Sequence, residues 1–247
     1  MKKFITRFVL IIAAIMALTA MASAADFETD TSALDIAAYL MLSGECTMNY
    51  GETDTARACE LKREIQEYVD AISVESETPT VTTTLLKPVD APSYLRFTLT
   101  RKSESNLTDI DAGSSIVSIN QFICERLAYD HDAAANVKSL SLSSSSLTAD
   151  GALNTGLSVC QGYANLFAIL AEAQNIQVIK VRGYINDEYH VVNMIHIDDA
   201  FKIVDVTYND ANGRLDVPAL TIEEYQAQTG FVFELDYQAA FSAKYGV

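Results

Sequence analysis

The stretch from Gly156 to Asp210 limits what this chain can become more than any other part of it. It reads Gly-Leu-Ser-Val-Cys-Gln-Gly-Tyr-Ala, then an apolar run, then Glu-Tyr-His-Val-Val-Asn, then Phe-Lys-Ile-Val-Asp-Val-Thr-Tyr. Cys160, His190 and Asp205 follow one another there, each in a different expected element. Gly156 and Ser158 precede Cys160, and Tyr163, Leu166, Phe167 and Leu170 follow it at helical apolar spacing. The pattern predicts a helix that starts at the thiol and stops at Gln174-Asn175. A thiol at a helix N-terminus meets the positive end of the dipole, which favours the thiolate. Gly162 leaves room for a neighbouring backbone or a substrate. His190 is expected to open a strand over 189–197 and Asp205 to lie in the next strand, 201–208, with Asp198-Asp199 as the turn. Antiparallel neighbours of that kind can set a carboxylate beside an imidazole, fix its tautomer and turn its other nitrogen toward the thiol.

Three blocks carry a resemblance: Cys160-Gln161-Gly162-Tyr163-Ala164, His190-Val191-Val192-Asn193 and Asp205-Val206-Thr207-Tyr208. Together they resemble the signature of the transglutaminase-like superfamily, over roughly residues 114–210. A Tyr-Asp pair at 129–130, upstream of the Cys block, adds to it. The resemblance implies a papain-like α+β core in which a helix carrying Cys160 packs on an antiparallel sheet. It also implies Cys160 as nucleophile, His190 as base and Asp205 as the acid that orients it. Two positions depart from the pattern: Val192 and Tyr208 stand where Trp is frequent, and the chain contains no Trp at all. No indole can therefore serve as an oxyanion donor or substrate wall.

The chemistry so implied is cysteine-dependent acyl transfer on amide bonds of proteins or peptides, with hydrolysis as the default because water needs no binding site. Crosslinking to an amine is one alternative, and an inactive binding or scaffold module, which the missing Trp residues favour, is another. The Cys160 backbone N–H is one oxyanion donor, worth about 3 kcal/mol if well aimed. Gln161 and Tyr129 are candidates for the second, and Gly162 and Tyr163 for substrate contact. No cofactor is implied. Cys160, His190, His196 and Asp205 match no compact metal-ligand spacing, so no metal site is expected. Of three histidines, His131 reads as a solvated loop residue, and His196 would share the face of His190 in an unbroken strand. Cys124 is either a buried thiol or a disulfide partner of Cys160. Asp205 sits in an apolar setting and needs a partner, because an unpaired buried charge costs several kcal/mol.

Residues 1–24 read as a signal peptide: Lys2, Lys3 and Arg7, an apolar core from Phe8 to Leu18, then Ala22-Ser23-Ala24 as the cleavage site. The expected location is secreted or extracytoplasmic, with no stable membrane insertion after cleavage. Cleavage would remove three of 17 basic residues and none of 33 acidic ones, taking the net charge from −16 to −19. Such a surface repels nucleic acid and anionic membranes.

Residues 25–78 are expected to form an N-terminal helical region, a candidate surface for a cell-envelope partner. Ala33 to Leu42 is one helix, and Thr55 to Ile72 another, with Ala58, Leu61, Ile65, Val69 and Ile72 on one stripe. Cys46 and Cys59 are expected to pair in an exported protein, worth about 3 kcal/mol in chain entropy. The other reading is two buried thiols. Residues 79–247 form the expected second domain. It begins with strands over 80–86 and 94–100, read as a sheet extension or an accessory layer. A helix capped by Ser114 or Ser115 then runs to about Tyr129-Asp130. Ser139 to Ser146 reads as an exposed mobile loop. Thr221-Ile222-Glu223-Glu224 reads as a capping box, and the alternation of Phe231, Phe233, Leu235 and Tyr237 as a closing strand.

Overall fold

The computed structural model describes residues 26–27, 31–43, 45–49, 55–72, 77–86, 93–103, 107, 110–136, 144–216 and 218–247. The signal-peptide reading of residues 1–24 lies outside them. The N-terminal part holds β1 (Asp26–Phe27), α1 (Ala33–Ser43), β2 (Glu45–Asn49), α2 (Thr55–Ile72), β3 (Glu77–Leu86) and β4 (Tyr94–Ser103). Its four-stranded sheet has the order β1-β2-β4-β3, with β1 parallel to β2 and the other pairs antiparallel. The stripe on α2 meets Ile36 and Leu40 of α1 and the inward residues Met48, Val81, Leu95 and Phe97 of the sheet. This region is therefore helices on a sheet of its own, and the expected division at residue 79 falls inside β3. The sequence reading missed β2 because its five residues gain their strand character from β4, to which Cys46 pairs opposite Phe97.

All four cysteines are free thiols, which corrects the expected Cys46–Cys59 bridge. Cys46 is buried in the N-terminal core, whereas Cys59 is exposed, one position beyond Ala58 on the outer side of α2. A residue next to the apolar stripe of a helix points about 100° away from it, so the two side chains do not meet.

The second layer system follows as α3 (Ile116–Arg126), β5 (Ala128–Tyr129), α4 (His131–Ala135), a 3₁₀ turn at Ser145–Leu147, α5 (Ala149–Thr155), β6 (Leu157–Ser158) and α6 (Cys160–Ala173). Then come β7 (Val178–Ile185), β8 (Glu188–Ile197), β9 (Ala200–Val204), α7 (Val206–Asn212), β10 (Ala219–Thr221), α8 (Ile222–Thr229), β11 (Val232–Phe233) and α9 (Tyr237–Tyr245). The five-stranded sheet has the order β10-β9-β8-β7-β11 and is antiparallel throughout. Two tight hairpins hold its centre. Asn186-Asp187 and Asp198-Asp199 all take positive φ, between 51° and 65°, as the two central residues of a type I′ turn must. The α+β expectation holds.

Both faces of β8 are covered. Val191, Asn193 and Ile195 face α6, with Asn193 Nδ2 donating to the Ala164 carbonyl at 3.1 Å. Val192 and Met194 belong to a second core with Ile203, Tyr225, Phe231, Tyr237 and Phe241. Several expected boundaries move. Helix α3, capped by a Ser115–Ser118 box, stops at Arg126. Tyr129 lies instead in β5, paired in parallel with Ser158. Ser146 is buried and donates to Asp130 Oδ2 at 2.6 Å, so the end of the serine run is a packed turn. Residues 139–143 of that run lie outside the described residues. The predicted closing strand is only β11; its last alternating residue, Tyr237, opens α9 behind an Asp236 cap. The predicted box at Thr221 and Glu224 is present.

Candidate functional site

The chain enters α6 from the β5–β6 pair. Val159 is the N-cap and its N–H donates to the Ser146 carbonyl at 3.1 Å, which fixes the first turn of the helix. Cys160 is the first helical residue and packs against Ala164 and Val191. Gly162 is buried, and a Cβ there would run into Ser158 Oγ and lie 2.9 Å from the Ser146 carbonyl. Its missing side chain thus admits the serine turn, where the sequence reading left a neighbouring backbone or a substrate open. Tyr163 also turns inward, donating to Asp210 Oδ2 at 2.9 Å within the core under α6. Gln161 is half-buried on the first turn. Tyr129, half-buried in β5, is close enough to Cys160 to feel its charge. Burial first, then Cys160 and Glu188, pushes the phenol up to about 12, so it remains protonated and a donor.

His190 sits near the start of β8 opposite Gly183 of β7. A side chain at Gly183 would collide with Phe231, whose ring lies 6.4 Å from the imidazole. Nε2 of His190 is 2.8 Å from Asp205 Oδ2, and the ring lies near enough to Cys160 to interact with it electrostatically. Burial alone would push this imidazole down. The Asp205 charge, its hydrogen bond and the nearby Cys160 outweigh burial and lift His190 to about 10.

Asp205 is the N-cap of α7 and not a strand residue, which corrects the expected strand over 201–208. The run Ile203-Val204-Asp205-Val206 reads as a strand, but Asp is a strong N-cap and β9 ends at Val204. Its Oδ1 accepts the Tyr208 N–H at 3.0 Å. Its Oδ2, besides meeting His190, accepts the Tyr225 hydroxyl at 2.7 Å. The sequence reading missed Tyr225. The capping box at Thr221 places a helix there, but nothing local points its tyrosine at Asp205.

The remaining expectations separate cleanly. His196 lies against Phe201 and Phe241, with ring centroids 5.0 and 6.2 Å away. His131 is exposed at the start of α4, with its ring 5.1 Å from Tyr129. Cys124 is half-buried and donates weakly to the Val206 carbonyl; burial, then Asp210, pushes it up to about 12. Val192 faces the second core, and Tyr208 lies against Tyr225 at 6.5 Å. No group of three or more metal-ligating side chains exists among the described residues.

An α+β fold that brings a thiol at a helix start to an imidazole and a buried carboxylate defines a cysteine enzyme in general terms. Residues 98–208 match the model of the transglutaminase-like superfamily. The chain also resembles a solved TGase at 12% identity, covering 66% of this chain and 50% of that one, with a TM-score of 0.33. A solved candidate cysteine protease from Cytophaga hutchinsonii is similar at 13% identity, over 59% of this chain and 68% of that one, with a TM-score of 0.31. No curated protein matches.

Proposed function

We propose that this chain is an exported cysteine hydrolase acting on amide bonds of proteins or peptides, with Cys160 as nucleophile, His190 as base and Asp205 as the acid that holds it. The observation that carries the reading is the imidazole held at 2.8 Å by the buried Asp205 carboxylate and close enough to Cys160, at the head of α6, to interact with it. His190 takes the thiol proton, and its raised proton affinity lets it keep that proton while the thiolate attacks the carbonyl carbon. A C–S bond forms, and the carbonyl π pair moves to oxygen. The Cys160 N–H at the start of α6 can donate to that oxygen, with the Tyr129 hydroxyl as candidate second donor. Collapse breaks the C–N bond, and the imidazolium proton leaves with the amine. Water then attacks the thioester while His190 takes its proton, and breaking the C–S bond returns the thiol and releases the carboxylic acid. Export rests on residues 1–24, and no helix of the described residues is long and apolar enough to cross a membrane.

The test is turnover of casein-type and generic amide substrates, with melting curves run alongside. Cys160→Ala should be inactive, because nothing else in the block forms a thioester. His190→Ala should lose about a thousandfold or more. His196→Ala, which disturbs only aromatic packing, should stay within about threefold of the parent. A dead His196→Ala beside an active His190→Ala would sink the base assignment. Amine incorporation without net hydrolysis would move the reading to crosslinking.

A further inference from the structure

The Asp205 carboxylate is almost fully enclosed, so its hydrogen bonds must come from the protein. Oδ1 takes one from the α7 backbone, and Oδ2 takes two, from His190 Nε2 and from Tyr225. The phenol and the imidazole thus compete for the same oxygen. Tyr225 is 1% exposed and is held by ring contacts with Phe231 at 5.4 Å and Tyr208 at 6.5 Å. Packing alone explains a buried aromatic ring at this place. It does not explain a hydroxyl aimed at a carboxylate that already binds an imidazole.

We infer that Tyr225 is a positioning residue for His190 that acts through Asp205, fixing the carboxylate plane and drawing charge away from Oδ2. The inference rests on the proposed roles of Cys160, His190 and Asp205. The groups facing the imidazole are Asp205 at the head of α7 and Cys160 at the head of α6. Tyr225 of α8 and Tyr129 of β5 interact with both, and Phe231 closes the side as a neutral ring. Without the phenol, the charge of Oδ2 bears on His190 alone. The imidazolium is then held more tightly and yields its proton less readily to the leaving amine.

The experiment is an NMR titration of ¹⁵N-histidine protein, simple in a chain with three histidines. It is run on the parent, on Tyr225→Phe, and on protein carrying 3-fluorotyrosine at position 225. Iodoacetamide labelling of Cys160, melting curves and peptide turnover accompany it. In Tyr225→Phe the His190 titration should move up by about half a pH unit or more. Its kcat should fall about tenfold with KM unchanged. The fluorinated phenol is a stronger donor and should move His190 the other way. A tyrosine that only fills space would change the melting point and leave both titrations in place, and that result, or shifts of the opposite sign, overturns the inference. The underlying reading fails differently. In that case the parent His190 titrates near the ordinary imidazole value, and Cys160 labels no faster than the exposed Cys59.

Discussion

Asp205 shows how much a single residue can carry here. It caps α7, anchors the imidazole and accepts the Tyr225 hydroxyl, and is almost fully shielded from water. Its link to His190 also fixes a pH dependence. In the unfolded chain the imidazole titrates near 6.5, and in the fold it is lifted to about 10. Below about 6.5, and above the carboxylate range, the imidazole is charged in both states, so the pair contributes its full stabilisation. That contribution declines as pH rises and is gone once the folded imidazole deprotonates near 10. Asp205→Asn should therefore be less stable than the parent by on the order of 2–4 kcal/mol near pH 6, the gap closing toward pH 10. Urea denaturation across that range measures it. A gap that widens with pH would show that the cap, and not the imidazole, dominates the role of Asp205. Turnover should fall by roughly a thousandfold or more, since an amide cannot stabilise the imidazolium and can select the wrong tautomer.

Helix α6 is set by what lies beneath its first turn. Ser146 and Ser158 fill the space that a side chain at 162 would need, and Ser158 Oγ donates back to the Ser146 carbonyl at 3.0 Å. Gly162→Ala must push the serine turn or the start of the helix aside. The expected cost is about 1–3 kcal/mol by denaturation, with a larger fractional loss of turnover than of labelling at Cys59. An alanine variant as stable and active as the parent would mean that the turn yields freely. What was legible at this scale was local: the helix at Cys160, the caps at Ser115 and Thr221, and the turn at Asp198-Asp199 all follow from chemistry within four residues. What was not legible depended on distant partners. Asp205 reads as a strand residue because its neighbours are apolar, and only the end of the β9–β10 pairing makes it a cap. Tyr225 meets it from 20 residues away through the fold. β2 needs β4, and Ser146 needs Asp130.

The two sheets are joined through α2, whose Tyr68 packs against both the N-terminal core and the second core, and whose Ala71 is buried in the latter. Beside this apolar seam Asp70 binds Arg182 of β7 at 2.7 Å, with the two side chains 16% and 22% exposed. Arg182 pairs with Val191, the neighbour of His190, so the junction lies one strand position from the site. Burial works against the guanidinium charge, but Asp70 outweighs it and holds Arg182 above its ordinary value. A pair this shielded gains more from its charges than one on the open surface, and losing one partner strands the other in a poorly solvated place. Asp70→Ala should lower stability by about 1–3 kcal/mol. Arg182→Met, which keeps the packing stem, should cost less, and the double variant should cost less than the sum by about 1 kcal/mol or more. Additive losses in that cycle would show the seam to be held by Tyr68 and Ala71 alone. A coupled loss that also slows labelling of Cys160 would show that the N-terminal sheet supports the site through β7, because Arg182 and Gly183 are consecutive and Gly183 sits opposite His190.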